Sequence, residues 1–180
     1  NPGWVEMDVD EYLKLTKVCL KKCTDEMRAK GLDVNQIQSV MGDGIICGIA
    51  GVDQDGNAIT PYINYLDSRT ARDVQEINER NLDIWGRETG NAEANCMFPA
   101  MIARWLLKNH KEFQKKGVKF IHNAPYVLAH LAGLSAGEMF IDWGAMSGWG
   151  MGYNVYEKKW SEEQLDILGI DPSYMPRIVR

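Results

Sequence analysis

The sequence has no apolar run near the roughly 20 residues that span a bilayer, and no charged start and short apolar stretch of the kind that directs secretion. Neither a membrane partner nor export is expected, which points to the cytoplasm. Basic charge is also short: 20 Lys and Arg against 25 Asp and Glu leave a net charge of −5, with no basic stripe to follow a phosphate backbone. Nucleic acid is therefore not an expected partner. Histidine is scarce, and His110, His122 and His130 all lie far along the chain from Cys19 and Cys23, so no metal-ligand spacing arises and no metal site is expected. A chain of 180 residues does not need disulfide staples, so Cys19, Cys23, Cys47 and Cys96 are expected as buried, reduced thiols, the first two on one helix face. Repeats, linkers and low-complexity tracts are missing. So is an initiator Met, and the chain reads as a fragment.

What is present suits one globular domain, because 45% apolar residues can build a core at this length. Asp8 followed by Glu11 is a helix start signal, and Tyr12, Thr16, Cys19, Leu20, Cys23 and Met27 recur at helical spacing up to Gly31. "IQSVM" (37–41) and "IICGIAGVD" (45–53) read as strands. "DQDGN" (53–57) is a turn, and "AITPYINYL" returns as the second arm of a hairpin over 45–66. Helical patterns follow over 69–85 and 99–113, then a strand at "VKFIHN" (118–123) and a helix at "PYVLAHLAG" (125–133). Residues 134–156 read as irregular and packed, and "SEEQLDILGI" (161–170) as a capped terminal helix. Strands alternating with helices predict an α/β fold, a mixed sheet flanked by helices with an inserted β-hairpin.

"PYINYLDSRTARD" (61–73) carries the main chemical question, since Asp67, Ser68 and Arg69 crowd the point where a strand meets a helix. Asp67 reads either as the cap of a helix starting at Arg69 or as a ligand-facing carboxylate held still by Arg69. The two roles are compatible, one oxygen for each. Period-two alternation would place Tyr65 on the same strand face as Ile63 and Asp67. Asp43 reads as a turn residue, the Trp and Met density of 139–160 as core or inter-domain packing, and His122 and His130 carry no assignment.

Read together, "GWVEMD" (3–8), "GDGIICGIAGVDQDGNAITPYINYLDSRT" (42–70), "TGN" (89–91), "MIARWLLKNHKEF" (101–113) and "KKWSEEQLDILGIDPSYMP" (158–176) resemble the FGGY carbohydrate kinases, and among them the xylulokinases. The resemblance implies a partial actin-like, ribonuclease H-like ATPase domain, with residues 1–180 forming part of the family's N-terminal, sugar-binding side. The family's Asp-x-Gly-Thr phosphate loop, its catalytic aspartate and its nucleotide-holding second domain have no counterpart in these residues. No catalytic residue is therefore assigned, and ATP and Mg²⁺ are expected to bind mainly to segments outside the chain. Tyr65 falls where the family has a Trp lining the sugar pocket, and Asp67 and Arg69 fall on the family's Asp and Arg. Ile46 and Cys47 fall where xylulokinases have Met and His and glycerol kinases have Arg and Glu. Met97 or Phe98 forms another wall, and Ile102 replaces a helix Lys. An Ile-Cys pair offers a sugar one apolar group and one weak donor, so this sequence departs from the family's pattern at two positions that contact the sugar hydroxyls. The implied function is phosphoryl transfer from MgATP to a hydroxyl of a small carbohydrate such as a pentulose, with a four- or six-carbon polyol or a sugar acid as variants. The alternative is a non-catalytic sugar-binding or regulatory module. Small sugar and ATP are the expected partners, and a homodimer is compatible with the family.

Overall fold

Alternation along short strands decides the sheet. Within β2 (Gly48–Val52), Ile49 falls on one face and Ala50 and Val52 on the other; β3 (Tyr62–Asn64) and β4 (Lys119–Ile121) divide Tyr62 from Ile63 and Phe120 from Ile121 in the same way. The computed structural model describes residues 1–114 and 116–180. In it β2 pairs with β3, Ile49 opposite Ile63, and with β4, Ala50 opposite Ile121. A two-residue β1 (Glu6–Met7) joins the far side of β3, giving the order β1-β3-β2-β4, antiparallel throughout. The expected hairpin is thus the centre of the sheet.

Helices cover both faces. Ile49, Ile63 and Phe120 enter one core with Met101, Ile102 and Leu106 of the helix at Pro99–Asn109, while Ala50, Val52, Tyr62 and Ile121 enter a second with Val9, Leu13, Tyr126 and Val127. Each Val, Leu, Ile, Phe or Met among them, taken fully out of water, contributes about 1.5–3 kcal/mol before entropy is charged against it. The second core is closed by α1 (Val9–Ala29) and by the helix at Asn123–Ala132, which makes three layers, helix, sheet, helix.

Local signals account for most helix ends. The Asp8 carboxylate accepts from the Asp10 and Glu11 amides at the start of α1, and at its end Gly31, at φ 75°, lets the Leu32 amide reach back to the Met27 carbonyl. The stripe that packs inward runs through Val9, Leu13, Thr16 and Leu20. Cys19 and Cys23 are exposed, contrary to the expectation of buried thiols. They follow Leu13 by six and ten residues, which at about 100° per residue turns them away from the sheet. The single helix expected over 69–85 is two, α2 (Ala71–Asn78) and α3 (Ile84–Thr89), because the polar "NERN" stretch breaks it and Asn81 takes φ 46°. Then α4 (Pro99–Asn109) packs on β2, and Arg104 ties it to its neighbours, donating to Glu76 Oε1 at 2.6 Å and to the Leu168 carbonyl at 2.8 Å. The last helix of the sheet layer is α5 (Asn123–Ala132).

Two regions differ from expectation. Residues 37–41 form no strand: Ile37, Val40 and Met41 are exposed, Met41 to 97%, and no strand among the described residues pairs with them. A β conformation is held by a neighbour's hydrogen bonds, so an apolar pattern without one stays irregular. Conversely, the region read as irregular holds β5 (Phe140–Asp142), α6 (Trp143–Ser147) and β6 (Tyr153–Asn154). The strand β6 pairs with β7 (Lys159–Trp160), α7 (Glu162–Leu168) follows with Ser161 as its N-cap and Gly169 at its end, and β8 (Arg177–Val179) runs parallel to β5. Parallel and antiparallel pairing therefore both occur, but in separate sheets.

Candidate functional site

The strand-to-helix join at 64–71 is built around one carboxylate. The strand stops at Asn64, whose carbonyl accepts the Asp67 amide at 3.0 Å, so Tyr65 and Leu66 form a turn and the strand alternation does not reach Asp67. Tyr65 is 39% exposed whereas Asp67 is 1% exposed, which separates the two residues expected on one face. Asp67 Oδ1 accepts from the Arg69 backbone amide and from Arg69 Nε, both at 2.9 Å, and Oδ2 from Arg69 Nη2 at 2.7 Å and the Val5 amide at 2.6 Å. The helix begins later than expected, at Ala71, so Asp67 braces the turn before α2 and does not cap the helix itself. Arg69 Nη2 also reaches Glu6 Oε1 at 2.7 Å, and its guanidinium lies over the Trp4 ring at 3.8 Å. Burial pushes the Asp67 carboxyl up, but the Arg69 and Val5 donors outweigh it and hold it below the ordinary carboxylate range. Met97 is partly exposed, and its neighbour Cys96 offers its carbonyl to Thr70 Oγ1 at 3.5 Å, which ties the 96–97 segment to the start of α2.

Ile46 and Cys47 are brought together with a different segment. Gly148 lies so close under Ile46 that a Cβ there would sit 2.3 Å from its Cγ1, and the Cys47 thiol donates to the Gly148 carbonyl at 3.5 Å. Burial raises the Cys47 pKa, so the thiol stays protonated. Gly48 follows at φ 117°, and a Cβ there would sit 2.6 Å from the Ile63 carbonyl, so no larger residue fits between the Ile46-Cys47 turn and β3. The Thr89-Gly90-Asn91 stretch is tied to the same glycine-rich segment, since Asn91 Nδ2 donates to the Gly150 carbonyl at 2.8 Å.

Beside Ile46 opens a cleft of about 300 Å³, lined by residues 42–46, the first turns of α5 and the β5–α6 junction. His122 forms part of its wall and is 2% exposed. Its Nδ1 lies 2.8 Å from the Gly48 carbonyl and its Nε2 makes no hydrogen bond, while its ring stands edge-on to Trp149 at 5.8 Å. Burial drives the His122 pKa down to about 4, against the opposing pull of the Gly48 and Ala145 backbone and the Asp142 carboxylate. The side chain is neutral at pH 7.

Residues 1–180 match the model of the N-terminal domain of the FGGY family of carbohydrate kinases from end to end. The chain belongs to that family. It is 26% identical over 178 residues to the xylulose kinase of Staphylococcus xylosus, covering 98% of this chain and 35% of that protein. It is 28% identical over 133 residues to the gluconokinase of Bacillus subtilis, covering 73% and 25%. The crystal structure of Plasmodium falciparum glycerol kinase with ADP superposes with a TM-score of 0.78 at 20% identity, over 99% of this chain and 35% of that one, and bears out the fold. The matches thus span a quarter to about a third of the length of these kinases.

Seen as an FGGY domain, the chain holds its candidate residues in two groups: Ile46 and Cys47 at Gly148, and Asp67 and Arg69 at residues 3–7, with Met97 tied to the second and Tyr65 at the exposed turn. Among the described residues no three His, Cys, Asp or Glu side chains converge as a cation site. His122 was missed. Its signal was positional: like Asp67, it stands where an apolar strand meets a helix, between "VKFI" and "NAPYV".

Proposed function

We propose that the full-length protein transfers the γ-phosphoryl group of MgATP to a hydroxyl of a small carbohydrate, with a pentulose such as xylulose as the first candidate, and that residues 1–180 supply the sugar side. The end-to-end match to the family's N-terminal domain carries this reading. Such a reaction asks a protein for positioning and charge neutralisation more than for covalent help. In this reading Ile46, Cys47, Tyr65 and Met97 face the sugar, and Asp67 with Arg69 holds the turn that presents Tyr65. ATP and Mg²⁺ belong to segments beyond residues 1–180, and the cytoplasm is the compartment. A homodimer is the assembly we propose, on family precedent alone.

A coupled assay of ATP consumption by the full-length protein, run over ketoses, polyols and aldonic acids, tests the proposal. Turnover with one of them is the expected result. A folded protein that binds a sugar but turns over none would replace the kinase reading with a non-catalytic sugar-binding module.

A further inference from the structure

Residues 37–41, "IQSVM", have the composition of a strand and the surroundings of one whose neighbour is absent. Among the described residues, the Ile37 amide reaches the Val34 carbonyl, and no backbone–backbone hydrogen bond reaches residues 38–43. Six consecutive residues thus hold their main-chain donors and acceptors out to solvent, as the edge of a sheet does before another strand adds to it.

An apolar groove lies beside this run. Leu20 of α1, Leu128, Leu131 and Ala132 of α5, Phe140 of β5 and Val40 itself enclose about 400 Å³, and all six are apolar. Gly42 holds the end of the run against α5, since a Cβ there would sit 3.2 Å from the Leu128 side chain. Val40 is 61% exposed and Leu131 40%, so the groove is open to water. A free strand-length backbone next to contiguous apolar surface is what an added β-strand covers: its main chain pairs with the edge, and its alternate side chains fill the groove.

The length of the relatives points to the occupant. The matched region is 35% of the Staphylococcus xylosus kinase and 35% of the glycerol kinase chain, so a protein of that length carries nearly twice as much polypeptide again. A second copy would leave the groove bare whenever the protein is dilute, whereas a segment of the same chain is tethered beside it at every concentration. An apolar edge left open is also an aggregation hazard, which a tethered strand removes permanently. We infer that residues 37–41 form a β-strand in the full-length protein, paired with a strand from the part of its chain outside residues 1–180, whose apolar side chains fill the groove over Leu20, Leu128, Leu131 and Phe140. The inference rests on the reading of the protein as a longer kinase. It reaches the candidate site, because the run leads through Gly42-Asp43-Gly44 into Ile46 and Cys47, and residues 42–46 line the cleft. The incoming strand thereby sets where that wall stands.

Hydrogen exchange read by mass spectrometry on the full-length protein is the test, with a synthetic peptide of residues 35–43 as the unpaired reference. We expect the amides of residues 38–41 to exchange at least about tenfold more slowly in the protein than in the peptide, and to do so equally across a roughly hundredfold dilution. A smaller slowing overturns the inference. Protection that fades on dilution also overturns it, because a second copy is then the occupant. A photoreactive methionine analogue identifies what lies against position 41: a cross-link from there to a peptide outside residues 1–180 is expected, and cross-links confined to residues 1–180, or none from that position, overturn the inference. Val40→Asp would carry a charge into the filled groove, so the protection of 38–41 should fall at least about tenfold, an effect that a substitution on an open loop would not have. Unchanged protection in that variant overturns the seating in the groove, and if the variant does not fold, the two measurements on wild type decide. None of these readouts is turnover. Protected residues 37–41 in a protein that phosphorylates nothing would leave the inference standing and the kinase reading lost, and bare residues 37–41 in an active kinase would do the reverse.

Discussion

Asp67 gathers four donors on two oxygens, three of them from Arg69, and is as buried as the core it adjoins. Removing it leaves the buried guanidinium with Glu6 as its remaining carboxylate beside the Trp4 ring, so Asp67→Ala should cost about 3 kcal/mol of stability, measurable as a lower urea midpoint with an unchanged slope. Arg69→Lys should lose much of the same support, because an ammonium cannot match a carboxylate with two parallel bonds or lie flat on Trp4. Any kinetic defect of Asp67→Ala in the full-length enzyme has therefore to be read at a temperature where the variant is folded. His122 makes a prediction of opposite chemistry. Its folded pKa of about 4 lies below the ordinary 6.5, so between these values the unfolded chain binds the extra proton and stability rises with pH. Acidification from pH 7 to 4 should remove up to about 3 kcal/mol through this residue, and His122→Asn should flatten that part of the pH profile. Asp67, whose pKa is depressed, contributes its own loss only below the ordinary carboxylate range. Urea unfolding at pH 4.5 and 7 separates the two.

Elements with a complete local signal were legible. The Asp8 cap and Gly31 stop bound α1, the "DQDGN" turn announced the β2–β3 hairpin, and Ser161 and Gly169 bracketed α7. Elements that exist only through distant partners were not. β5 and β8 are three residues each and parallel, so neither carries enough pattern to be read without the other. The join at Asp67 was legible in composition but not in geometry, since nothing local says that the chain turns at Tyr65 or that Val5 waits for the free oxygen. His122 was illegible for the same reason: its meaning depends on Gly48, 74 residues away. At this scale the central strand pair is the place to test the packing. Ile63→Ala empties a site buried between the sheet and α4 and should cost about 2–5 kcal/mol, and equally so whether or not ligand is present.

For the whole molecule, the family and the three-layer fold are consistent with one another, while the exposed run at 37–41 stands outside both cores. The chain accounts for about a third of its relatives, and the kinase activity proposed here belongs to the longer protein. The brace between Val5, Glu6, Asp67 and Arg69 has a further implication, which concerns time. β1 contributes only two residues at the rim of the sheet, and its partner β3 is followed at once by the residues that secure it. A ribosome making this protein releases Val5 long before Arg69, so Val5 and Glu6 wait, unfastened, through more than 60 further additions. β1 is then fixed by a segment made later, and a pause in translation between the two would leave Trp4 and its apolar surroundings open to whatever else the cell offers.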